Sequence, residues 1–233
     1  MIGIIIPVYN EAANIEKTLN ALAVCINNAK HPYAVNIVYD FDGDSTLPVI
    51  ERIRSSYNFP IRLIKNSTKG VCNAIKTGLK DADGEFLLVT MADMSDDYSV
   101  LDMMVNKAME GFDIICGSRY MPGGKTHGGP FIKQNLSRLA GLSLHLLTKI
   151  PTHDVTNSYK LYRKSMLKAI TIESQGGFEL GMEITIKAFL KGYKIAELPC
   201  GWWDRTEGQS RFQLLKWLPK YLHWYFLLLR SSR

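Results

Sequence analysis

Cysteine is scarce and scattered. Cys25, Cys72, Cys116 and Cys200 lie far apart and form no C-x-x-C pair. That spacing argues against a disulfide framework or a zinc knuckle and predicts reduced thiols in a cytosolic protein. No cleavable leader is legible: Met1 runs directly into the strand-like "IGIII", with no basic segment and no small-residue cleavage site. No short-period repeat or low-complexity tract interrupts the chain, which excludes solenoids and disordered tails. The glycine fingerprint of dinucleotide-binding folds is missing as well. The first strand ends in "PVYNEAAN", where a backbone cannot approach a pyrophosphate in the usual way.

What is present fits one domain or two closely fused halves. Apolar residues make up 46% of 233 positions, enough for a sizeable core, and charged residues are ordinary at 21%. The net charge of +6 is uneven. After Trp202, Arg205, Arg211, Lys216, Lys220, Arg230 and Arg233 face only Asp204 and Glu207, a local balance of +4. All four tryptophans (Trp202, Trp203, Trp217, Trp224) lie in the same region. A basic, aromatic C-terminus suggests an anionic surface as partner, with membrane and nucleic acid as the candidates.

The first half alternates strand and helix patterns. "IGIIIPV" is a β-branched run, followed by a helix with Ile15, Leu19, Leu22 and Ile26 on one face and Asn10 available as N-cap. "YAVNIVYD", a helix from about Leu47, "IRLIKN", a helix over "VCNAIKTGLK", "EFLLVT", a helix over "SVLDMMVNKAM" and "FDIICGS" continue it. The alternation predicts a parallel sheet with right-handed crossovers. "MPGGKTHGGP" reads as a long mobile loop, "KQNLSRLAGLSLHLLTK" and "GFELGMEITIKAFLKGY" as helices, and "KIAELPC" as a last strand.

"FLLVTMADMSDD" begins as a buried strand and ends in Asp93, Asp96 and Asp97. Carboxylates at the C-terminal end of a parallel strand stand where open α/β sheets bind ligands. They can hold a divalent cation against a diphosphate, and Ser95 or Asp96 can equally cap the following helix.

Taken together, "IIIPVYNEAANI", a strand ending in Asp40, Asp42 and Asp44, "KGVCNAIKTGL", "MADMSDD", "DIICGSRYMPGG", "HDVTNSYKLYRKSML", "GGFELGMEI" and "GYKIAELPCGWWDRTEGQSR" resemble the family 2 glycosyltransferases of the GT-A fold. Within that family they resemble the dolichyl- or polyprenyl-phosphate mannose synthase branch, over roughly residues 2 to 211. Two motifs depart from the pattern. The second strand ends in "YDFDGDST" with alternating acids, and the D-x-D motif reads Met91-Ala92-Asp93 with Ser95 where Gln is common.

The resemblance implies an α/β, mostly parallel sheet flanked by helices and an inverting transfer from a nucleotide sugar to a polyprenyl phosphate. It implies a donor pocket of Pro7, Tyr9, Glu11, Asp40, Asp42, Lys69, Ala92, Asp93, Arg205 and Arg211. Around the acceptor phosphate it implies Arg119, Lys133 and Ser137, which with Asp93 make the catalytic set. Mg²⁺ or Mn²⁺ would bind Asp93, with Ser95, Asp96 or bound water supplying what Met91 cannot. Arginine suits both ends because its planar fork holds phosphate oxygens bidentately. A phosphate acceptor is already mostly anionic near pH 7, so no strong base is required. Asp154 and Asn157 would organise the acceptor loop. Glu179 and Glu183 would orient arginines or serve as structural ion pairs.

The domain is expected over residues 1–211 and an amphipathic segment over 212–233. In "FQLLKWLPKYLHWYFLLLR", Gln213, Lys216, Lys220 and His223 draw one narrow polar stripe. Lys216, Pro219 and Lys220 interrupt the run too early for a membrane span. An interfacial helix is expected, with tryptophans at headgroup depth on the cytosolic face. A helix packed on its own core, a membrane-protein partner or a second copy is the alternative. Nucleic acid is disfavoured, because the run is Leu-rich and unlike a stacking groove. The leading function is mannose transfer from GDP-mannose. A UDP-sugar donor, such as UDP-glucose, or a catalytically impaired nucleotide-sugar-binding subunit are the rivals.

Overall fold

The computed structural model describes residues 1–27, 29–205 and 214–231. Phe212, Gln213 and the whole of "TEGQSR", Arg211 included, lie outside these residues.

Among the described residues, nine strands and eight α-helices follow in chain order: β1 (Ile2–Val8), α1 (Ile15–Ile26), β2 (Tyr33–Tyr39), α2 (Thr46–Ile53), β3 (Ile61–Lys65), α3 (Val71–Asp81), β4 (Phe86–Val89), α4 (Leu101–Met109), β5 (Ile114–Ser118), β6 (Lys125–His127), α5 (Phe131–Thr148), β7 (Lys160–Arg163), α6 (Lys164–Lys168), α7 (Glu179–Leu190), β8 (Ile195–Pro199), β9 (Gly201–Trp203) and α8 (Leu214–Ser231). Seven strands form the main sheet in the order β3-β2-β1-β4-β7-β5-β8. All neighbours run parallel except β7, which is antiparallel to both β4 and β5.

The alternation read from the sequence is therefore correct through β5. The antiparallel β7 went unread because "KLYR" is four residues long and half charged, which masks its burial between two strands. Its neighbours β4 and β5, like β1, are fully buried runs with no polar alternation, as expected for a sheet covered on both faces. One apolar cluster packs α1, α2 and α4 on one face, and a second packs α3, α6 and α7 on the other.

Three local readings differ. Asn10 is not the cap of α1: it turns the chain at φ 56°, and the helix starts five residues later. The Gly-rich segment after Tyr120 is not structureless, because its residues 125–127 form β6 and pair in parallel with β9. That pairing brings Trp203 onto the ring of His127, 5.3 Å away and nearly coplanar. Finally, α8 does not stand apart. Trp224 and Leu228 are buried with Leu144, Ile150, Val155, Met182 and Ile186, against α5 and α7. The expectation of Trp224 at headgroup depth is corrected accordingly: the side chain lies in a core, with the Lys187 ammonium over its ring.

Candidate active site

The C-terminal ends of β1, β2 and β4 open onto a cavity of about 1150 Å³. Pro7, Tyr9, Glu11, Asp40, Lys69, Ala92, Asp93, Ser95, Arg119, Lys133, Ser137 and Arg205 all line it. Asp42 does not: it points to solvent and pairs with Lys65 at 2.6 Å.

At one end, the turn after β1 is held by a residue whose role went unread. The Asp44 carboxylate accepts the Asn10 N–H at 3.1 Å and the Thr46 N–H at 2.8 Å, and Thr46 Oγ1 accepts the Glu11 N–H at 2.9 Å. The P-x-Y-N-E turn is thus fastened to the start of α2, which fixes where Tyr9 and Glu11 face. An acid two residues before a helix was the available signal. Beside it, Asp40 accepts from Asn66 Nδ2 at 2.7 Å and from the Gly70 N–H at 2.8 Å. Gly70 sits at φ +112°, a conformation suited to glycine, and opens α3 with Lys69 at the cavity wall.

In the middle stands Asp93. Its Oδ1 accepts the Ser95 N–H at 3.2 Å and its Oδ2 accepts from Arg205 Nη2 at 2.7 Å, while Glu11 lies 3.8 Å from Arg205. Asp96 is turned inward to the Thr90 hydroxyl at 2.7 Å and the Met91 N–H at 3.1 Å, and burial pushes its carboxyl up to about 7. Asp97 accepts the Ser99 N–H at 3.1 Å and the Gly201 N–H at 2.9 Å. Of the three acids, Asp97 takes the capping role and Asp96 braces the loop; Asp93 is the one lining the cavity as a carboxylate partnered by a cation.

The residues expected around an acceptor phosphate meet at the far end. Arg119 donates to both oxygens of Asp154, to Ser137 Oγ at 3.1 Å and to Thr156 Oγ1 at 3.2 Å. Burial alone would raise the Asp154 carboxyl, but Arg119 and its hydrogen bonds hold it below the ordinary carboxylate range. Lys133 stands one helical turn before Ser137 on α5. Burial first, and then the charge of Arg119, pull its ammonium down from the ordinary lysine value. Gly141 lets α5 approach this loop: a Cβ there would lie 2.1 Å from the His153 carbonyl oxygen. Asn157 donates to the Gly117 carbonyl at 2.8 Å, anchoring the loop on β5.

Among the described residues, Glu179 and Glu183 make no ion pair with an arginine. Glu179 accepts the Gly176 and Gly177 N–H groups, and Glu183 accepts those of Glu173 and Ser174 and the Lys187 ammonium. They hold the segment carrying Gly176, Gly177 and Phe178 against the cavity. Beyond Ser137, the cavity continues as an apolar trough between α5 and α8, with Leu136, Leu139 and Ala140 facing Leu218, Tyr221 and Leu222.

A divalent cation would have Asp93 as its carboxylate. Met91 is partly buried against the second core cluster, and a thioether is a poor ligand for a hard ion. No group of three metal-capable side chains occurs among the described residues. The donor set therefore fits an ion shared with substrate phosphates rather than a preformed cage, which is how Mg²⁺-type ions are commonly held.

Comparison with known proteins bears on both fold and family. Among curated relatives, a dolichol-phosphate mannosyltransferase of Pyrococcus furiosus is 28% identical, over 96% of this chain and 64% of its own length. A polyprenol monophosphomannose synthase of Mycolicibacterium smegmatis is 26% identical, over 89% of this chain and 79% of its own. An undecaprenyl-phosphate mannosyltransferase of Micrococcus luteus is 29% identical, over 89% and 85%. The chain thus spans just under two thirds of the Pyrococcus protein. Among solved structures, glucosyl-3-phosphoglycerate synthase from Mycobacterium tuberculosis, with Mn²⁺, UDP-glucose and phosphoglyceric acid, matches with a TM-score of 0.71 at 13% identity, over 99% of this chain and 80% of that one. S. aureus TarS in complex with UDP matches with a TM-score of 0.65 at 20% identity, over 99% and 64%. These likenesses show the GT-A fold. The model of the family described as "Glycosyl transferase family 2" matches residues 3–171, well over half of the chain, and the chain belongs to that family.

Proposed function

We propose that the chain transfers a sugar from a nucleoside diphosphate to a polyprenyl phosphate, with inversion at the anomeric carbon, while peripherally bound to the cytosolic face of a membrane. The leading donor is GDP-mannose. The observation that carries this reading is one continuous cavity. It runs from Tyr9 and Asp40, past Asp93 and Arg205, to Arg119, Lys133 and Ser137, and on into the apolar trough between α5 and α8. Nucleotide, diphosphate, acceptor phosphate and isoprenoid chain would occupy it in that order.

In the reaction, an acceptor phosphate oxygen forms the new bond to the anomeric carbon. The bond from that carbon to the diphosphate breaks, and the nucleoside diphosphate leaves with the electron pair. The chief difficulty is holding two anions side by side, and preorganised cations answer it. Lys133 and Arg119 receive the acceptor phosphate, and Arg205 leaves Asp93 to meet the diphosphate. Arg211 is proposed for the same end. A divalent ion on Asp93, Mg²⁺ or Mn²⁺, would supply further charge neutralisation to the leaving diphosphate.

The membrane reading gains support from a surface the sequence reading did not single out. Ile132, Leu136, Leu139 and Leu146 recur at helical spacing on α5 and are exposed, with Phe131 and Leu147 at its ends and Leu222 and Phe226 on α8. Contiguous exposed apolar side chains at the mouth of a cavity mark a docking surface. No helix among the described residues is long and apolar enough to cross a membrane, which agrees with an interfacial position. The deciding experiment incubates the purified protein with a panel of GDP- and UDP-sugars, Mg²⁺ or Mn²⁺, and a polyprenyl phosphate. Glycosyl-phosphoryl-polyprenol formed from GDP-mannose supports the proposal, product from a UDP-sugar alone transfers it to that donor, and nucleotide-sugar binding without product favours an impaired subunit.

A further inference from the structure

Lys160 is fully buried in the middle of the sheet, opposite Val89 of β4 and Cys116 of β5. Its Nζ donates to the Val155 carbonyl at 2.9 Å and to the Asn157 carbonyl by a shorter contact. These two carbonyls bracket Thr156. Thr156 in turn touches Arg119 and shares a hydrogen bond with Ser137. The ammonium therefore clamps, from beneath, the turn whose upper side touches Arg119 and Ser137.

The charge balance of the same place is informative. Arg119 and Lys160 are both buried cations beside the buried Asp154 carboxylate, and Arg119 also acts on Asp96, whose carboxyl burial pushes up to about 7. Burial pulls the lysine down from its ordinary value, Asp154 opposes that, and Arg119 adds to it. Buried charge without full compensation is unfavourable, and an anion arriving above Arg119 would relieve it. A buried ammonium needs acceptors in any role; here the acceptors belong to the turn that carries Thr156.

We propose that Lys160 is a positioning residue for the phosphate acceptor. It holds the Val155–Asn157 turn, and through it Thr156, Ser137 and Arg119, in the arrangement that receives a phosphate monoester, and it supplies positive potential beneath that phosphate. The inference rests on the reading of Arg119, Lys133 and Ser137 as the acceptor-phosphate group.

The test is calorimetric titration of the purified chain with geranyl phosphate, and separately with whichever of GDP and UDP the wild type binds. Lys160→Met should weaken geranyl phosphate binding at least tenfold and leave nucleotide binding unchanged. Lys160→Gln, which keeps a donor for one carbonyl, should fall between. If Lys133→Ala weakens geranyl phosphate binding and Lys160→Met does not, the inference about Lys160 fails alone. If the wild type binds no geranyl phosphate, or Lys133→Ala and Arg119→Lys leave binding intact, the acceptor reading fails and takes the inference with it. A measurement on the wild type decides the matter should the Lys160 variants not fold. The ¹⁵N resonance of the Lys160 ammonium should shift on adding geranyl phosphate and stay in place on adding nucleotide, and a resonance indifferent to geranyl phosphate overturns the proposal.

Discussion

Asp154 lies against Arg119 with both carboxylate oxygens engaged: Oδ2 accepts from Nε at 2.6 Å and Oδ1 from Nη2 at 2.9 Å, in a place where Asp154 is fully buried. The pair presents Arg119 to the cavity in one fixed orientation. Removing one partner strands the other as an uncompensated buried charge, which costs about 3–5 kcal/mol. Asp154→Ala is therefore expected to lower stability by that order in urea unfolding and to abolish acceptor binding.

The same pair sets an acid limit. The folded carboxyl of Asp154 lies below its ordinary value, so the unfolded chain binds more protons as the solution is acidified. Its contribution to stability is fully present above about pH 4, the unfolded value, and is lost as pH falls through the lower folded value. Unfolding curves collected between pH 2 and 6 should show this loss in the wild type and a flatter acid limb in Asp154→Asn.

Lys133 offers a second kinetic probe. Lys133→Ala is expected to raise the acceptor KM about tenfold or more, as for a lost charge-assisted hydrogen bond, with little change in the donor KM. Since its ammonium is held below the ordinary lysine value, the charge disappears at lower pH than for a free lysine. The profile of kcat/KM for the lipid phosphate should therefore turn down on its alkaline side earlier than pH 10.5, and this limb should vanish in the variant. Equal losses for donor and acceptor would place Lys133 on the donor instead.

Asp93→Ala should leave the fold intact, because among the described residues Asp93 braces the Ser95 N–H and Arg205 at the cavity wall, and should reduce transfer by about a hundredfold or more. Met91→Asp restores a second carboxylate and should tighten Mn²⁺ binding measured by electron paramagnetic resonance in the presence of nucleotide. Because Met91 packs on the second core cluster, that variant should also melt at a lower temperature. Unchanged Mn²⁺ affinity would show that position 91 does not face the ion.

The two sides of the α5–α8 layer should respond differently. Trp224→Ala removes a core aromatic and is expected to cost about 3–5 kcal/mol. Cutting the chain after Arg211 should unfold this layer rather than merely release the protein from vesicles. Leu139→Glu with Leu146→Glu should leave the melting temperature unchanged and weaken binding to anionic vesicles in a flotation assay. Retained flotation would mean that this exposed stripe is not the membrane face.

The residue pattern by itself determined the parallel core of the fold and the motifs that end its strands. Strands buried on both faces are continuous apolar runs, so β1, β4 and β5 were legible from local sequence, and so were the motifs at their ends. Arg119, at the end of β5, and Lys133 and Ser137, one turn apart on α5, line one cavity. Tertiary structure decided the rest, because it depends on which groups face each other across the fold. Asp42 follows Asp40 by two positions, yet it pairs with Lys65 at the surface while Asp40 fastens Gly70. Asp93 and Asp96 look alike in "MADMSDD", and only burial turns one inward to Thr90 and leaves the other facing Arg205. Trp224 reads as an interfacial residue from amphipathic spacing, but that spacing fits a core equally well, and α5 and α7 were there to cover it. Lys160, in a short charged stretch, gave no sign of being buried. Its place was set when β7 entered the sheet antiparallel between β4 and β5, a pairing between distant segments that no local pattern encodes.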